Sequence, residues 1–189
     1  MYCFDDESEL MATLATNIKD NYPESTMWEG SPFQWITRLS SKRIGAVGEL
    51  LVQNWCQEKG YKVRRPIGSS SYDRVINGHR VEIKYSKLWD NRTYRFQQLR
   101  NQDFDFYFWI GVSPRNVQAW FIPKEYLKLG VGPQPEGVIP QHGGKSGQDT
   151  WWIKVDADSP PEWMEHFGGS LSDVNQILKS HPAGSILGE

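Results

Sequence analysis

The chain has 189 residues, 38% of them hydrophobic and 23% charged, a balance that suits one folded domain and not a disordered chain. No run approaches the 18 apolar residues a membrane span needs, and the acidic start MYCFDDESEL has no apolar stretch, so neither a membrane partner nor a secretory leader is expected. Cys3 and Cys56 are the only cysteines, which excludes a disulfide scaffold and a cysteine-based zinc site and fits a reducing, cytoplasmic location.

The net charge of −2 conceals an uneven distribution. Residues 41–100 carry 13 basic and 5 acidic side chains, while residues 1–40 and 101–189 are each acidic on balance. A basic middle between acidic flanks is the asymmetry that draws a polyanion to one face of a protein. Residues 1–40 read as an accessory region, with a short helix over Glu7 to Asn17 broken at Tyr22-Pro23-Glu24-Ser25. Trp28, Phe33, Trp35 and Ile36 are expected to dock on the main body.

From Ser41, a plausible N-cap, the sequence predicts a helix over Lys42 to Lys59 ended by Gly60. Ile44, Val47, Leu51 and Trp55 make one apolar stripe, which places Lys42, Glu49 and Gln53 on the far side. Gly45 and Gly48 cost helix propensity but permit close approach of a strand or ligand. Tyr61 to Arg64 is a short strand. Tyr72 to Ile76 and His79 to Tyr85 then flank Asn77-Gly78, the favoured two-residue hairpin turn. Tyr94 to Gln102 reads as a helix, and Phe104 to Val112 as a buried central strand. Val117 to Ile122 is another strand, and a short helix follows from Pro123 to Leu129. Residues 130–148 are expected to be a long loop rich in Gly and Pro. Asp149 to Val155 is a strand, and Pro160 to Phe167 and Ser172 to Leu178 are terminal helices, the second capped at Ser170 or Ser172. This order predicts an α/β fold with helices flanking a mixed central β-sheet. The divisions are 1–40, 41–129 and 130–189 within a single domain overall.

The two-residue turn fixes the hairpin register: Ile76 opposite His79, Val75 opposite Arg80, Arg74 opposite Val81 and Asp73 opposite Glu82. Two carboxylates facing each other repel unless something positive lies between them. A divalent cation with oxygen ligands, Mg²⁺ with Mn²⁺ as a substitute, is the natural occupant. Lys84 lies two residues past Glu82 and projects from the same face. Two acids and an ammonium are the set that hydrolysis of a phosphodiester needs, with the carbonyl of Ile83 completing the metal shell.

Ser71-Tyr72-Asp73 followed by Val81-Glu82-Ile83-Lys84 resembles the core motif of the PD-(D/E)XK nucleases, the restriction-endonuclease-like fold. Gly48-Glu49 is similar to the helical acidic residue many members use. The resemblance covers residues 41–122, with Tyr72 standing where the motif has proline. It implies that Asp73 and Glu82 are metal ligands, that Lys84 is the catalytic lysine, and that Glu49 is a further ligand, directly or through water.

Around this set, Lys62, Arg64 and Arg65 are candidates for phosphate contacts, which position DNA without reading it. Gln97, Gln98 and Arg100 lie after the motif on the expected helix. Gln141, His142 and Lys145 lie in a loop whose glycines allow close approach to a groove. The remaining histidines have no metal-ligand spacing, His79 merely flanking the turn, and the tryptophans read mostly as core. The expectation is therefore a Mg²⁺-dependent endonuclease acting on double-stranded DNA as a homodimer, and specifically a restriction enzyme. A structure-specific repair nuclease, a junction resolvase, or a non-catalytic DNA-binding or partner subunit with the same fold are the alternatives.

Overall fold

Phe106-Tyr107-Phe108-Trp109-Ile110-Gly111-Val112 is apolar at every position, and a strand of that kind must be covered on both faces. In the computed structural model, which describes residues 6–19, 26–68, 70–141 and 150–181, it is buried throughout. The strands are β1 (Val63–Arg64), β2 (Arg74–Ile76), β3 (His79–Lys87), β4 (Thr93–Leu99), β5 (Phe106–Val112), β6 (Val117–Pro123), β7 (Val138–Gln141) and β8 (Thr150–Asp156). The helices are α1 (Asp6–Lys19), α2 (Ser41–Glu58) and α3 (Leu171–Ser180), joined by three short 3₁₀ turns. No helix among the described residues is long and apolar enough to cross a membrane.

The protein is α/β, with a five-stranded sheet in the order β1-β2-β3-β5-β6 and a three-stranded sheet in the order β4-β8-β7. The larger sheet is mixed: β3 and β5 run parallel, and its other pairs are antiparallel. Alternation along β5 assigns its two faces. Phe108 meets Trp55 of α2 edge-on and Phe106 stacks on Phe121 at 4.4 Å, on the helical side. Trp109 stacks on Phe96 of β4 at 4.8 Å, and the Tyr94 ring fills the space over Gly111, where a Cβ would lie 2.8 Å from it. Helices therefore cover one face and a second sheet covers the other.

That second layer corrects the helix expected over Tyr94 to Gln102. Tyr94, Phe96 and Leu99 are aromatic or apolar residues that bury one face of a strand paired with β8. One extra residue between Phe96 and Leu99 shifts the register and returns Leu99 to the interior. Gln98 absorbs the irregularity with a φ of +54°. The expected 130–148 loop also contains β7, which pairs with β8 from Val138–Ile153 to Gln141–Thr150.

Helix α2 begins one residue before the expected start, with Ser40 at the N-cap and no side-chain cap, and ends before Gly60 at φ +83°. Its buried line is Gly48, Val52 and Cys56, rotated from the predicted stripe. Gly48 is the point of closest approach: a Cβ there would lie 2.5 Å from Tyr85 Cβ, whereas Gly45 faces open space. Trp28 and Ile36 are buried and Phe33 packs on the core, but Trp35 is 54% exposed and does not dock. The segment expected as a helix at Pro160 to Phe167 is a 3₁₀ turn, Glu162–Phe167. Helix α3 is capped at Ser170 by a complete capping box with Asp173. His79 does more than flank the turn, being buried edge-on against Phe106.

Candidate active site

The hairpin turn sets the site. Asn77 and Gly78 both take positive φ, at +51° and +95°, as the turn type requires. Asn77 Oδ1 also accepts the Lys62 N–H, tying β1 to the turn. Three of the four expected pairs are present: Ile76–His79, Val75–Arg80 and Arg74–Val81. The fourth is not a ladder pair. The Asp73 N–H donates to the Val81 carbonyl at 3.0 Å, and Asp73 Oδ2 accepts the Ile83 N–H at 2.7 Å. These two bonds bracket Glu82, so Asp73 stays beside it without forming a ladder pair. Next to it, Arg74 donates to the Asp73 carbonyl at 2.6 Å, where β2 begins.

Parity separates the side chains. Val81, Ile83 and Tyr85 face α2, and Arg74, paired with Val81, shares that side. Glu82 and Lys84 face the second sheet, level with Tyr107 and Trp109 of β5. Lys84 Nζ sits 2.7 Å from Glu82 Oε1. Burial raises the Glu82 carboxyl well above the usual carboxylate range, Lys84 pulls it back, and the Asp73 charge pushes it up again. Asp73, Glu82, Ile83 and Lys84 line one cleft of about 570 Å³ together with Glu49, Gln97 and Gln98. Its other walls include Ser41, Gly45, Trp89 and Arg95.

Glu49 does not lie on a far side of α2. Its Oε2 is 3.1 Å from Arg74, whose Nε donates to Gln53 Oε1 at 2.8 Å, so both polar residues turn toward β2. Burial and the Asp73 charge raise the Glu49 pKa, against the pull of Arg74. Arg74 is 5% exposed and joins α2 to β2, a role absent from the sequence reading; its register opposite Val81 was the available signal. Arg74 holds Glu49, and among the described residues no three His, Cys, Asp or Glu side chains form one ligand cluster.

The remaining candidates divide. Lys62, Arg64 and Arg65 are exposed, and Arg65 shares a smaller cleft with Glu49, Tyr72, Asp73 and Arg74. Gln97 and Gln98 are exposed at the β4 bulge, inside the main cleft, on a strand instead of the expected helix. Arg100 is half-buried beyond it, its backbone N–H and carbonyl both bonded to the Tyr107 hydroxyl. Gln141 ends β7 and does not line the cleft. His142 and Lys145 lie outside the described residues.

The acids fit a hard divalent cation in their chemistry. Asp73 and Glu82 are neighbouring oxygen donors whose joint ionisation is costly, and Mg²⁺ commonly takes one or two carboxylates while keeping several waters. A third carboxylate is not required for such a site. No family model and no curated protein sequence matches the chain. Among solved structures, a bacterial homing endonuclease, I-Ssp6803I, superposes with a TM-score of 0.47 and 17% sequence identity, covering 75% of this chain and 96% of that one.

Proposed function

We propose that the protein is a Mg²⁺-dependent endonuclease that hydrolyses phosphodiester bonds in double-stranded DNA, Mn²⁺ serving as a substitute. The observation that carries this reading is the convergence of Asp73, Glu82 and Lys84 on one open cleft at the end of β2. Asp73 and Glu82 would hold the metal with the Ile83 carbonyl, and Glu49 would join through water, since Arg74 engages its carboxylate. The bound ion would supply Lewis-acid polarisation of the phosphoryl oxygen and a more acidic water.

The chain's own residues account for the rest. Lys84 carries the ammonium placed beside the acids, where it can orient the attacking water and offset charge developing on the phosphate. The Asp73 carboxylate is held in place by the Ile83 N–H, so its orientation is set before a ligand arrives. Gln97 and Gln98, exposed at a bulge in the cleft wall, present amide donors and acceptors of the kind suited to base edges. Lys62, Arg64 and Arg65 would contact the DNA backbone beside the site. A sequence-specific restriction role, with two copies each cutting one strand, is the form of this activity we favour.

The deciding experiment is a supercoiled-plasmid assay with Mg²⁺, with Mn²⁺ and with EDTA. Nicked or linear product with either metal and none with EDTA is expected. Cleavage that persists in EDTA overturns the metal assignment, and no cleavage of any DNA tested overturns the endonuclease reading.

A further inference from the structure

Several basic side chains of the middle segment are neutralised in place. Lys84 is paired with Glu82, Arg74 with Glu49, Arg80 with Asp105 and Arg92 with Asp158. Arg95 is different. It stands on β4 between the buried Tyr94 and Phe96, so its side chain takes the opposite face and lines the cleft that holds Asp73, Glu82 and Lys84. Its guanidinium carbon lies 4.6 Å from the centre of the Trp89 ring, and the Lys87 ammonium lies 5.6 Å from the same ring. Its Nε is buried with no hydrogen-bond partner, and no ion pair among the described residues includes it.

We propose that Arg95, braced on Trp89, is a phosphate clamp of the cleft, gripping a DNA backbone phosphate next to the one that is cut. The proposal rests on the endonuclease reading and adds a positioning residue to it. Three features support it. A guanidinium is a planar fork that matches a phosphate, and stacking on an indole holds the plane without consuming its N–H groups. The backbone N–H of Arg95 donates to Ser86 Oγ at 2.8 Å, which ties its strand to the one that carries Glu82 and Lys84. Trp89 is 42% exposed, a large apolar surface left at the cleft wall where a structural role alone would favour burial.

The test measures binding of a fluorescently labelled mixed-sequence DNA duplex in Ca²⁺ across a salt series. Single-turnover cleavage in Mg²⁺ runs beside it. Arg95→Ala should weaken binding about tenfold, the scale of one charge-assisted hydrogen bond, and should lower the salt slope by about one contact. Arg95→Lys should keep the parental slope but recover little affinity, because a point charge does not reproduce the fork. Trp89→Leu removes no charge and should still weaken binding, yet add nothing in an Arg95→Ala background. Parental affinity and slope in Arg95→Ala, with the parent binding and cutting, overturn the clamp and leave the endonuclease reading intact. If Arg95→Ala does not fold, parental affinity in Arg95→Lys overturns it instead. A parent that binds no duplex at any salt overturns both.

Discussion

Lys84 and His79 lie on one strand and make opposite demands on charge. The Lys84 ammonium is proposed to act on water and on charge that exist only along the reaction path, so its loss should reach the rate before it reaches binding. Lys84→Ala is expected to bind duplex DNA in Ca²⁺ within a few-fold of the parent. Its single-turnover cleavage should be slower by about 10²-fold or more. Parental cleavage by Lys84→Ala would reduce Lys84 to a lysine paired with Glu82. His79 is held neutral instead: burial lowers its pKa, Asp105 pulls it up, His181 pulls it down again, and its Nε2 has no partner. A depressed pKa in the folded state means the unfolded chain binds the proton more readily. The stability His79 supplies is therefore complete above its unfolded value of about 6.5 and is lost as pH falls from there through the folded value. Thermal melts at mildly acidic and neutral pH should separate more for the parent than for His79→Gln. Equal separation would show that another group governs the acid limb.

At the scale of elements, the contact between α2 and β3 decides whether Glu49 and the hairpin acids share a cleft. Gly48 lets the helix backbone meet Tyr85, and an added Cβ would lie 2.5 Å from Tyr85 Cβ. Gly48→Ala should destabilise the fold by about 1–3 kcal/mol through overpacking, despite the better helix propensity of alanine. Because α2 must move away, cleavage should fall with stability, whereas Gly45→Ala, meeting no atom within 4 Å, should preserve stability. Denaturant midpoints for the two variants measure this, and equal midpoints would refute it. The hairpin was legible because a two-residue Asn-Gly turn leaves almost no freedom of register. The strand β4 was not, because Tyr94 and Phe96 bury against Trp109 and Trp120, partners more than ten residues away in the chain.

For the whole molecule, the basic middle segment is divided between internal ion pairs and exposed charge. Lys62, Arg64 and Arg65 remain exposed on and beside the short edge strand β1. If they touch phosphates, binding should weaken on all sequences alike, and the salt slope of a triple alanine variant should fall by about three contacts. An unchanged slope would place DNA elsewhere on the surface.

The amino-acid sequence by itself determined the hairpin, its three-pair register, the buried central strand and the same-face placement of Glu82 and Lys84. Each follows from local geometry: a turn of known length, a side-chain period of two, an unbroken apolar run. It also brought Asp73 and Glu49 into consideration by residue type and order. Tertiary structure decided what those two side chains do. Arg74 is adjacent to Asp73 in the chain and 25 positions from Glu49, and its buried guanidinium binds the Asp73 carbonyl and the Glu49 carboxylate together. Only tertiary structure set a second sheet, and not a helix, over the acids, and with it the placement of Gln97, Gln98 and Arg95 along the cleft. The reason is physical: β4 buries its aromatic face against the central sheet, so the residues on its other face line the cleft, and local periodicity carries no information about which layer it will join.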